Sequence, residues 1–353
     1  MKVLMVGVDE KAVGGMWTVV ENYLNSKKFC NDTNLKYIPT ATSSSIIGKL
    51  LFSGNAIIKL ILTLIFKKID IVHVHMAERG SVFREGIVVL LSKLFRAKVI
   101  IHMHGATFET WYYNQTKLIK KVISYILNSC DTFLILGEFF RPFIRNIIKN
   151  ESKIKVLYNA VNIPTENKYQ TNSNEIIFLG MLIERKGIND FLKSISYIKD
   201  KIPSDIKIKL YGADKYNNIE SKIDDYGLTS IVNYCGWLKN QEKSECFSKA
   251  MMNILPSYSE GLPMTVLETM SYGIPNISTF VAGVPEAIEN NHDGILIKPG
   301  DIKELSKSIL MLIKNPELRC EYSKNSYNHV KDQFSVEKHI NKLECVYKEI
   351  LCR

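Results

Sequence analysis

The sequence predicts an α/β protein built from two doubly wound parallel-sheet domains, and three observations lead to that prediction. Short apolar strands alternate with amphipathic helices along the 353 residues, a pattern typical of parallel sheets covered by helices on both faces. The length suffices for two domains with separate cores. A polar stretch without periodicity, Val161 to Asn174, interrupts the alternation, and we interpret it as an interdomain linker.

We therefore predict an N-terminal Rossmann-like domain over residues 1–165 and a C-terminal Rossmann-like domain over residues 166–335. The last helix, about Val336 to Leu351, carries apolar side chains on one stripe, and such a stripe must pack on another surface. Residues 336–353 are expected to pack back toward the N-terminal domain.

The composition is that of a soluble globular protein, with 46% hydrophobic and 23% charged residues. Seven scattered cysteines without a C-x-x-C pair argue against a cysteine zinc site and a disulfide framework, and they fit a reducing compartment. The first ten residues have the pattern of a strand meeting a loop rather than of a signal peptide. We expect a cytoplasmic protein.

The net charge of +10 comes from the N-terminal half, because residues 1–165 hold 22 Lys and Arg against 11 Asp and Glu. A basic half suits nucleic acid, an anionic membrane surface or a polyanionic substrate. The sequence has no nucleic-acid recognition motif and no Lys/Arg run longer than two, so nucleic acid is disfavoured. A solvated basic surface without a partner is the alternative.

The chain opens with a strand, Val3 to Val8, then a Gly-Gly loop over residues 12–16 and a helix from Thr18. This order is typical of a nucleotide-binding fold. The glycines do not fit G-x-G-x-x-G, which disfavours a nicotinamide enzyme.

The most apolar segment, Ile46 to Phe66, is interrupted by Lys49 and Lys59, so it has no apolar run of 18 residues. The pattern favours a helix packed in the protein, and an interfacial helix that touches lipid is the alternative.

Histidines alternate along two buried strands, with His73 and His75 on the first and His102 and His104 on the second. Such a pattern could indicate a metal, but a structural role is favoured. Residues two apart on a strand share a face. We predict a hydrogen-bonded core residue at His102, which lies deeper, and a functional one at His104, beside Gly105 at the strand end.

In the C-terminal half, the stretch S-Y-S-E-G-L-P-M-T-V-L-E begins at Ser257 and places a loop before a helix. Pro263 is predicted as the first helical residue, where a missing N–H is tolerated. Free amides of Gly261, Leu262 and Met264 at this helix start favour an anion such as phosphate.

Two carboxylates flank this helix start. Glu260 precedes the helix and Glu268 lies inside it. A carboxylate beside a phosphate site is suited to accept hydrogen bonds from the hydroxyls of a sugar or ribose. Ordinary charges at a helix terminus are the alternative.

The run S-E-G-L-P-M-T-V-L-E-T-M-S-Y-G-I-P, followed by A-G-V-P-E and H-D-G-I-L-I-K-P-G-D, resembles the nucleotide-sugar transferases of glycosyltransferase family 4. The resemblance covers nearly the whole chain. It implies a GT-B architecture, in which two Rossmann-like domains face each other across a cleft. It also implies retaining transfer from a nucleoside-diphosphate sugar, and we expect no cofactor.

The resemblance also implies roles for individual residues. Glu268 would accept from ribose hydroxyls, Glu260 would sit against the donor sugar, and Lys186 would neutralise the diphosphate. His104 would line the donor sugar. The remaining donor-binding positions are Gly261, Leu262, Pro263, Gly15 and Gly236.

One position departs from the family pattern. The family usually has Arg directly after the glycine of the turn that carries Lys186, and this chain has Met181 there. Arg185 is predicted to supply the second cation. The sequence contains no D-x-D pair to hold a metal, so we predict metal-independent catalysis by Lys186 and backbone amides.

The predicted function is transfer of a sugar from a UDP- or GDP-sugar to a glycan or lipid-linked acceptor in surface polysaccharide assembly. The basic N-terminal half predicts peripheral contact with an anionic membrane at its inner face. A nucleotide-sugar epimerase of the same fold is one alternative. A non-catalytic sugar-nucleotide binder, suggested by Met181, is the other.

Overall fold

A computed structural model describes residues 1–11, 14–43 and 45–352. Part of the predicted loop over residues 12–16 lies outside these ranges. The chain divides into two compact units. Unit 1 contains Met1–Asn159 and Val336–Arg353, and unit 2 contains Ala160–Ser335. The division falls six residues before the boundary predicted from sequence, and the closing helix belongs to unit 1.

Unit 1 contains a six-stranded parallel sheet in the order β2-β1-β3-β4-β5-β6. The central strands are almost wholly buried, and each residue of β3 is buried, as expected for a sheet covered by helices on both faces. The strands are β1 Val3–Val8, β2 Lys36–Ala41, β3 Ile71–Met76, β4 Lys98–Met103, β5 Thr132–Ile135 and β6 Ile154–Val156.

The helices of unit 1 are α1 Gly15–Asn25, α2 Lys27–Thr33, α3 Ile46–Phe66, α4 Gly80–Leu94, α5 Phe108–Tyr113, α6 Lys117–Asn128, α7 Arg141–Ile144 and the closing helix Val336–Cys352. The apolar stripe of the closing helix is buried within unit 1. There the Tyr347 hydroxyl lies 2.7 Å from Nδ1 of His73 on β3.

The expectation that the apolar segment is a packed helix is wrong. Ala56 and Leu60 are the buried residues of α3, and the helix contacts β2 and α4. By length and composition α3 could cross a membrane, and only 11% of its most apolar window is buried. Lys49 and Lys59 are exposed, and most of the apolar side chains of α3 are exposed with them. The two lysines therefore do not mark a polar outer face opposite a buried apolar one.

Unit 2 contains a second six-stranded parallel sheet, in the order β12-β11-β10-β7-β8-β9. Its strands are β7 Glu175–Leu179, β8 Lys207–Tyr211, β9 Val232–Gly236, β10 Ala250–Leu255, β11 Asn276–Thr279 and β12 Gly294–Ile297. The two sheets confirm the predicted α/β fold class.

The helices of unit 2 are α8 Ile188–Ile198, α9 Ile219–Asp225, α10 Asn240–Lys249, α11 Met264–Ser271, α12 Val284–Ala287, α13 Ile302–Lys314 and α14 Pro316–Gln333. Sequence reasoning did not predict α14. Pro316 follows the end of α13 and lies in the first turn of α14, where proline is tolerated because its N–H would have no partner.

Candidate functional site

The candidate site of unit 2 begins where the order of the strands reverses. Strands β7 and β10 are neighbours, with β8 and β9 on one side and β11 and β12 on the other. In open α/β sheets, ligands bind outside the carboxyl ends of the strands at such a switch point. The chain leaves β7 into a turn that holds Arg185 and Lys186, and it leaves β10 into the loop that begins at Pro256.

Gly187 lets these two connections approach each other. Its φ is +75°, and a Cβ atom at this position would lie 2.0 Å from the carbonyl oxygen of Pro256, so only glycine fits there without strain. The Tyr258 amide donates to the Arg185 carbonyl oxygen at 2.9 Å, and the Tyr258 hydroxyl donates to Asp190 at 2.6 Å. The turn and the loop therefore hold each other in place.

Lys186 and Glu260 form the central ion pair of the site. The Lys186 ammonium donates to both carboxylate oxygens of Glu260, at 2.6 and 2.8 Å, and the Ser257 hydroxyl donates to the Oε1 oxygen at 2.6 Å. Glu260 is buried, with 4% exposure, whereas 14% of the Lys186 side chain is exposed. A fixed cation therefore lies beside a carboxylate that is almost shielded from solvent.

Arg185, the predicted second cation, donates through Nη1 to the carbonyl oxygen of Ser259. Part of its guanidinium thus braces the loop in which Glu260 lies. A guanidinium has five N–H donors, so this contact leaves others for a ligand. Its role toward a diphosphate stays a prediction.

Pro263 lies one position before the place predicted for it. The helix α11 begins at Met264, and Pro263 has ψ of 117°, which is not helical. The Pro263 carbonyl oxygen accepts from the Val266 amide at 3.2 Å, the behaviour of a residue that caps a helix. The carbonyl of Gly261 accepts from Gly283 at 3.0 Å, which ties the start of α11 to the turn after β11.

Glu268 lies on α11 and is paired with Lys243 of α10, whose ammonium donates to Oε1 at 2.8 Å. Burial raises the pKa of the Glu268 carboxyl, and the Lys243 charge opposes that rise. Sequence reasoning missed Lys243 because no motif marks it. It stands 25 residues before Glu268, and only the packing of the two helices brings the side chains together.

Gly236 lies apart from the Lys186–Glu260 ion pair. It ends the edge strand β9, and β8 separates that strand from β7. Its φ is +73°, and a Cβ there would enter open space, so the backbone conformation rather than crowding favours glycine. Its proposed contact with a donor stays a prediction.

The other predicted residues lie in unit 1. Gly15 is the first residue of α1. His104 follows β4 and is half-buried, and its Nε2 lies 2.9 Å from Nδ1 of His75. His102 is fully buried, as its depth in the strand predicts. The expectation that His102 is hydrogen-bonded is wrong, since neither ring nitrogen meets a partner among the described residues. The roles of Gly15 and His104 stay predictions.

Comparison with known proteins identifies the kind of site. Residues 162–329 match the family described as Glycosyl transferases group 1, so the match falls on unit 2. The chain is 25% identical, over 81% of its length and 76% of the relative, to the Escherichia coli UDP-Gal:alpha-D-GlcNAc-diphosphoundecaprenol alpha-1,3-galactosyltransferase. It is 26% identical, over 85% and 87% of the two chains, to a 41.2 kDa protein of the Klebsiella pneumoniae cps region.

Among solved structures, Anabaena HepE in complex with UDP-glucose has the same fold, with a TM-score of 0.79 and 14% identity. The likeness covers 99% of this chain and all of the other. The family match, the curated relatives and the two parallel sheets confirm the resemblance found in the sequence: the chain is a glycosyltransferase of the family 4 type with the GT-B fold.

Proposed function

We propose that the protein is a retaining, metal-independent glycosyltransferase. It transfers a sugar from a UDP- or GDP-sugar to a glycan or lipid-linked acceptor in surface polysaccharide assembly. The observation that carries the proposal is the Lys186–Glu260 pair, held at the switch point of the unit 2 sheet beside the start of α11.

The charge of the leaving group explains why a fixed cation is needed. When the bond from the anomeric carbon to the diphosphate breaks, negative charge grows on the departing nucleoside diphosphate. A preorganised ammonium group in a partly shielded site stabilises that charge without reorganising. Lys186 has this position, because Glu260 holds its ammonium group with two hydrogen bonds.

The same geometry supports different tasks for Glu260 and Glu268. Glu260 shares its carboxylate with Lys186 and Ser257, and we assign it the positioning of the donor sugar next to the diphosphate. Glu268 keeps 14% of its side chain exposed and is anchored by Lys243, so we assign it the ribose hydroxyls. The UDP-glucose complex of the Anabaena neighbour favours uridine as the base.

In the transfer, the acceptor hydroxyl oxygen forms a bond to the anomeric carbon as the bond to the diphosphate oxygen breaks. The departing diphosphate takes the hydroxyl proton. The new bond forms on the face that the diphosphate leaves, so the configuration is retained. Lys186, rather than a metal, offsets the charge of the leaving group.

We also propose peripheral contact with an anionic membrane, through α3. Its exposed apolar residues are Ile46, Ile47, Leu50, Leu51, Ile58, Leu62, Ile65 and Phe66. The strands before and after α3 both pair with β1, so the chain returns to the same sheet. The helix therefore lies on the membrane surface rather than crossing it.

Lysines gather at the end of this helix. A cavity of about 180 Å³ is lined by Phe66 and by Lys2, Lys36, Lys67 and Lys68. A contact with Lys67 lowers the pKa of Lys36, which shows that cations crowd there. Apolar side chains beside cations suit the interface of an anionic bilayer, and the Escherichia coli relative is named for a lipid-linked acceptor. We therefore place the enzyme in the cytoplasm at the inner membrane face.

The decisive experiment is an assay of the purified chain with a panel of UDP- and GDP-sugars and diphosphoundecaprenol-linked acceptors. NMR of the product gives the anomeric configuration, and EDTA tests the need for a metal. We expect a product with the donor's configuration and full activity in EDTA. An inverted product would disprove retention, and loss of activity in EDTA would disprove metal independence.

Two further outcomes would contradict the transfer itself. Conversion of the donor sugar without any acceptor would identify an epimerase. Donor binding without turnover on any acceptor would identify a non-catalytic binder.

A further inference from the structure

A cluster of buried histidines in unit 1 has no part in the proposed transfer. His73 and His75 lie on one face of β3, and His75 is the register partner of His102 on β4. All three are fully buried, and each offers a ring nitrogen that lies within 4.8 Å of those of the other two. Three imidazoles therefore meet in one small volume of the core.

Several ring nitrogens in this volume lack a partner. Across the described ranges, Nε2 of His73, Nε2 of His75 and both ring nitrogens of His102 meet no hydrogen-bond partner. Each neutral imidazole has one donor and one acceptor. A buried polar atom left unsatisfied costs about 1–3 kcal/mol. Four such atoms in one place indicate that a bound ion or buried water satisfies them.

The other sides of two rings are already fixed. Nδ1 of His73 is hydrogen-bonded to the Tyr347 hydroxyl at 2.7 Å, and Nδ1 of His75 is hydrogen-bonded to Nε2 of His104 at 2.9 Å. Each contact occupies Nδ1 and leaves Nε2 without a partner among the described residues. Ring nitrogens that bind metals are usually held in this way by a partner on the opposite nitrogen.

We propose that His73, His75 and His102 bind a zinc-class transition cation. Imidazole ligands suit zinc, copper, iron or nickel rather than magnesium or calcium. Tetrahedral ligands at the usual zinc–nitrogen distance are about 3.4 Å apart. The rings of His73 and His75 are stacked 4.6 Å apart with 11° between their planes, so one of the two rings must turn out of the stack for both to bind one cation. Water or hydroxide fills the fourth position.

The surroundings agree with a cation that binds neutral ligands. All three imidazoles are fully buried, which disfavours their charged form, and the neutral imidazole is the form that binds a metal. Burial also raises the pKa values of Tyr23 and Tyr347, whose rings pack beside His73. Those hydroxyls stay neutral, and a bound hydroxide would offset one of the two charges of the cation.

The bound cation would link β3 to β4 beneath the closing helix. It would act on the stability of unit 1 and lies in a different unit from the Lys186–Glu260 pair. Its presence is therefore compatible with transfer that needs no metal at the diphosphate.

The test uses the full chain, stripped of metal with a chelator and then titrated with Zn²⁺ against a chromogenic competitor. The accessible cysteines, Cys30, Cys235, Cys320, Cys345 and Cys352, are first alkylated so that their thiolates do not bind the metal. We expect one equivalent of zinc per chain and a higher melting temperature. Cobalt in place of zinc should give the intense visible bands of a four-coordinate site. No tight equivalent, or the weak bands of six-coordinate cobalt, would overturn the proposal.

Variants locate the site. His75→Gln and His102→Gln should weaken zinc binding at least about tenfold, and Tyr347→Phe, which frees only the outer nitrogen of His73, about tenfold. His292→Gln changes an exposed histidine of unit 2 and should bind zinc as the unaltered chain does. Unchanged binding by His102→Gln would overturn the proposal and leave buried water as the occupant.

A measurement on the unaltered chain protects the test from variants that do not fold. X-ray absorption at the zinc edge should show three imidazole nitrogens and one oxygen as ligands. A first shell with sulfur, or with fewer than three imidazoles, would contradict the assignment.

Discussion

The proposal that Glu268 binds the ribose hydroxyls can be tested by two changes used together. One removes the charge of the Glu268 carboxylate, and the other removes the hydroxyls from the ribose of the ligand. Glu268→Gln keeps the shape of the side chain on α11 but replaces an ionised acceptor by an amide. The matching change in the ligand is 2′,3′-dideoxy-UDP, which lacks both ribose hydroxyls. If Glu268 accepts from those hydroxyls, either change should remove the same interaction.

The magnitude follows from the chemistry of the bond. A hydrogen bond to a charged group contributes about 1.5–3 kcal/mol, and a neutral one about 1 kcal/mol. The amide should therefore lose about 1–2 kcal/mol of ribose binding, which is about 5- to 30-fold in the preference for UDP over the dideoxy nucleotide.

The quantity to measure is the ratio of the affinities for UDP and for the dideoxy nucleotide, because other effects of the substitution cancel in this ratio. Glu268→Gln also leaves the Lys243 ammonium without its carboxylate partner, and this lowers stability. Both nucleotides bind the same variant, so that cost does not enter their ratio. Lys243→Met, which keeps the carboxylate but loses its anchor, should reduce the preference less than Glu268→Gln.

Calorimetric titration of both nucleotides into the three proteins gives the ratios, and a GDP pair tests the other base. The unaltered chain should prefer UDP over its dideoxy analogue. An equal preference in the unaltered chain and in Glu268→Gln would refute the reasoning, because the ribose hydroxyls would then be recognised elsewhere.

Four other predictions follow from the structure. Lys186→Ala should lower kcat/KM about 100- to 1,000-fold, the range for loss of one preorganised charge-stabilising donor. Lys201→Ala, which changes an exposed lysine of the same unit, should leave kcat/KM unchanged. Equal kinetics of the two variants would exclude a role for Lys186 in stabilising the leaving group. Gly187→Ala should destabilise unit 2 by about 1–3 kcal/mol in urea unfolding, because the new Cβ would meet Pro256. Gly54→Ala, whose Cβ enters open space on α3, should not be destabilised. An unaltered unfolding midpoint for Gly187→Ala would contradict the close approach of Gly187 to Pro256. The double change Leu50→Glu and Leu51→Glu should reduce co-sedimentation with anionic liposomes, whereas the control Tyr216→Glu on unit 2 should not. Salt should weaken liposome binding of the unaltered chain. Binding that does not depend on salt would argue against a membrane contact through the basic face. Because burial raises the pKa of Glu268, its protonation should weaken nucleotide binding as pH falls, beginning above the usual glutamate range, and the pH effect should vanish in Glu268→Gln.

The sequence predicts the fold class and the contents of the loop after β10, because both depend on short-range patterns. Glu260, Gly261 and Glu268 lie within one run of the chain, and their spacing is visible without a structure. Lys186 stands 74 residues before Glu260, so its place in the site is predicted by the resemblance to the family and not by spacing. The structure supplies the physical link, the close approach at Gly187.

Lys243 and α3 show where sequence reasoning fails. Lys243 is an ordinary charged residue on a polar helix, and only its contact with Glu268 distinguishes it. In α3, composition measures how apolar a segment is but not which neighbours are present to cover it. Leu50 and Leu51 are about 70% exposed, a fact that depends on tertiary packing alone.

The assignment of the closing helix to unit 1 has a consequence for how the protein acquires its structure. Tyr347 reaches His73 across 274 positions of the chain, a contact that cannot form until the last helix has left the ribosome. Unit 2 is a continuous segment, and within it Val161 pairs with Ser335.

Once unit 2 has folded, its two ends are neighbours, and the segment that must close to join Tyr347 to His73 becomes much shorter. Each halving of a loop lowers the entropic cost of closure by about 0.6 kcal/mol. Early folding of the second unit would thus act as a template for completing the first. Refolding should show unit 2 protected from amide exchange before the closing helix is.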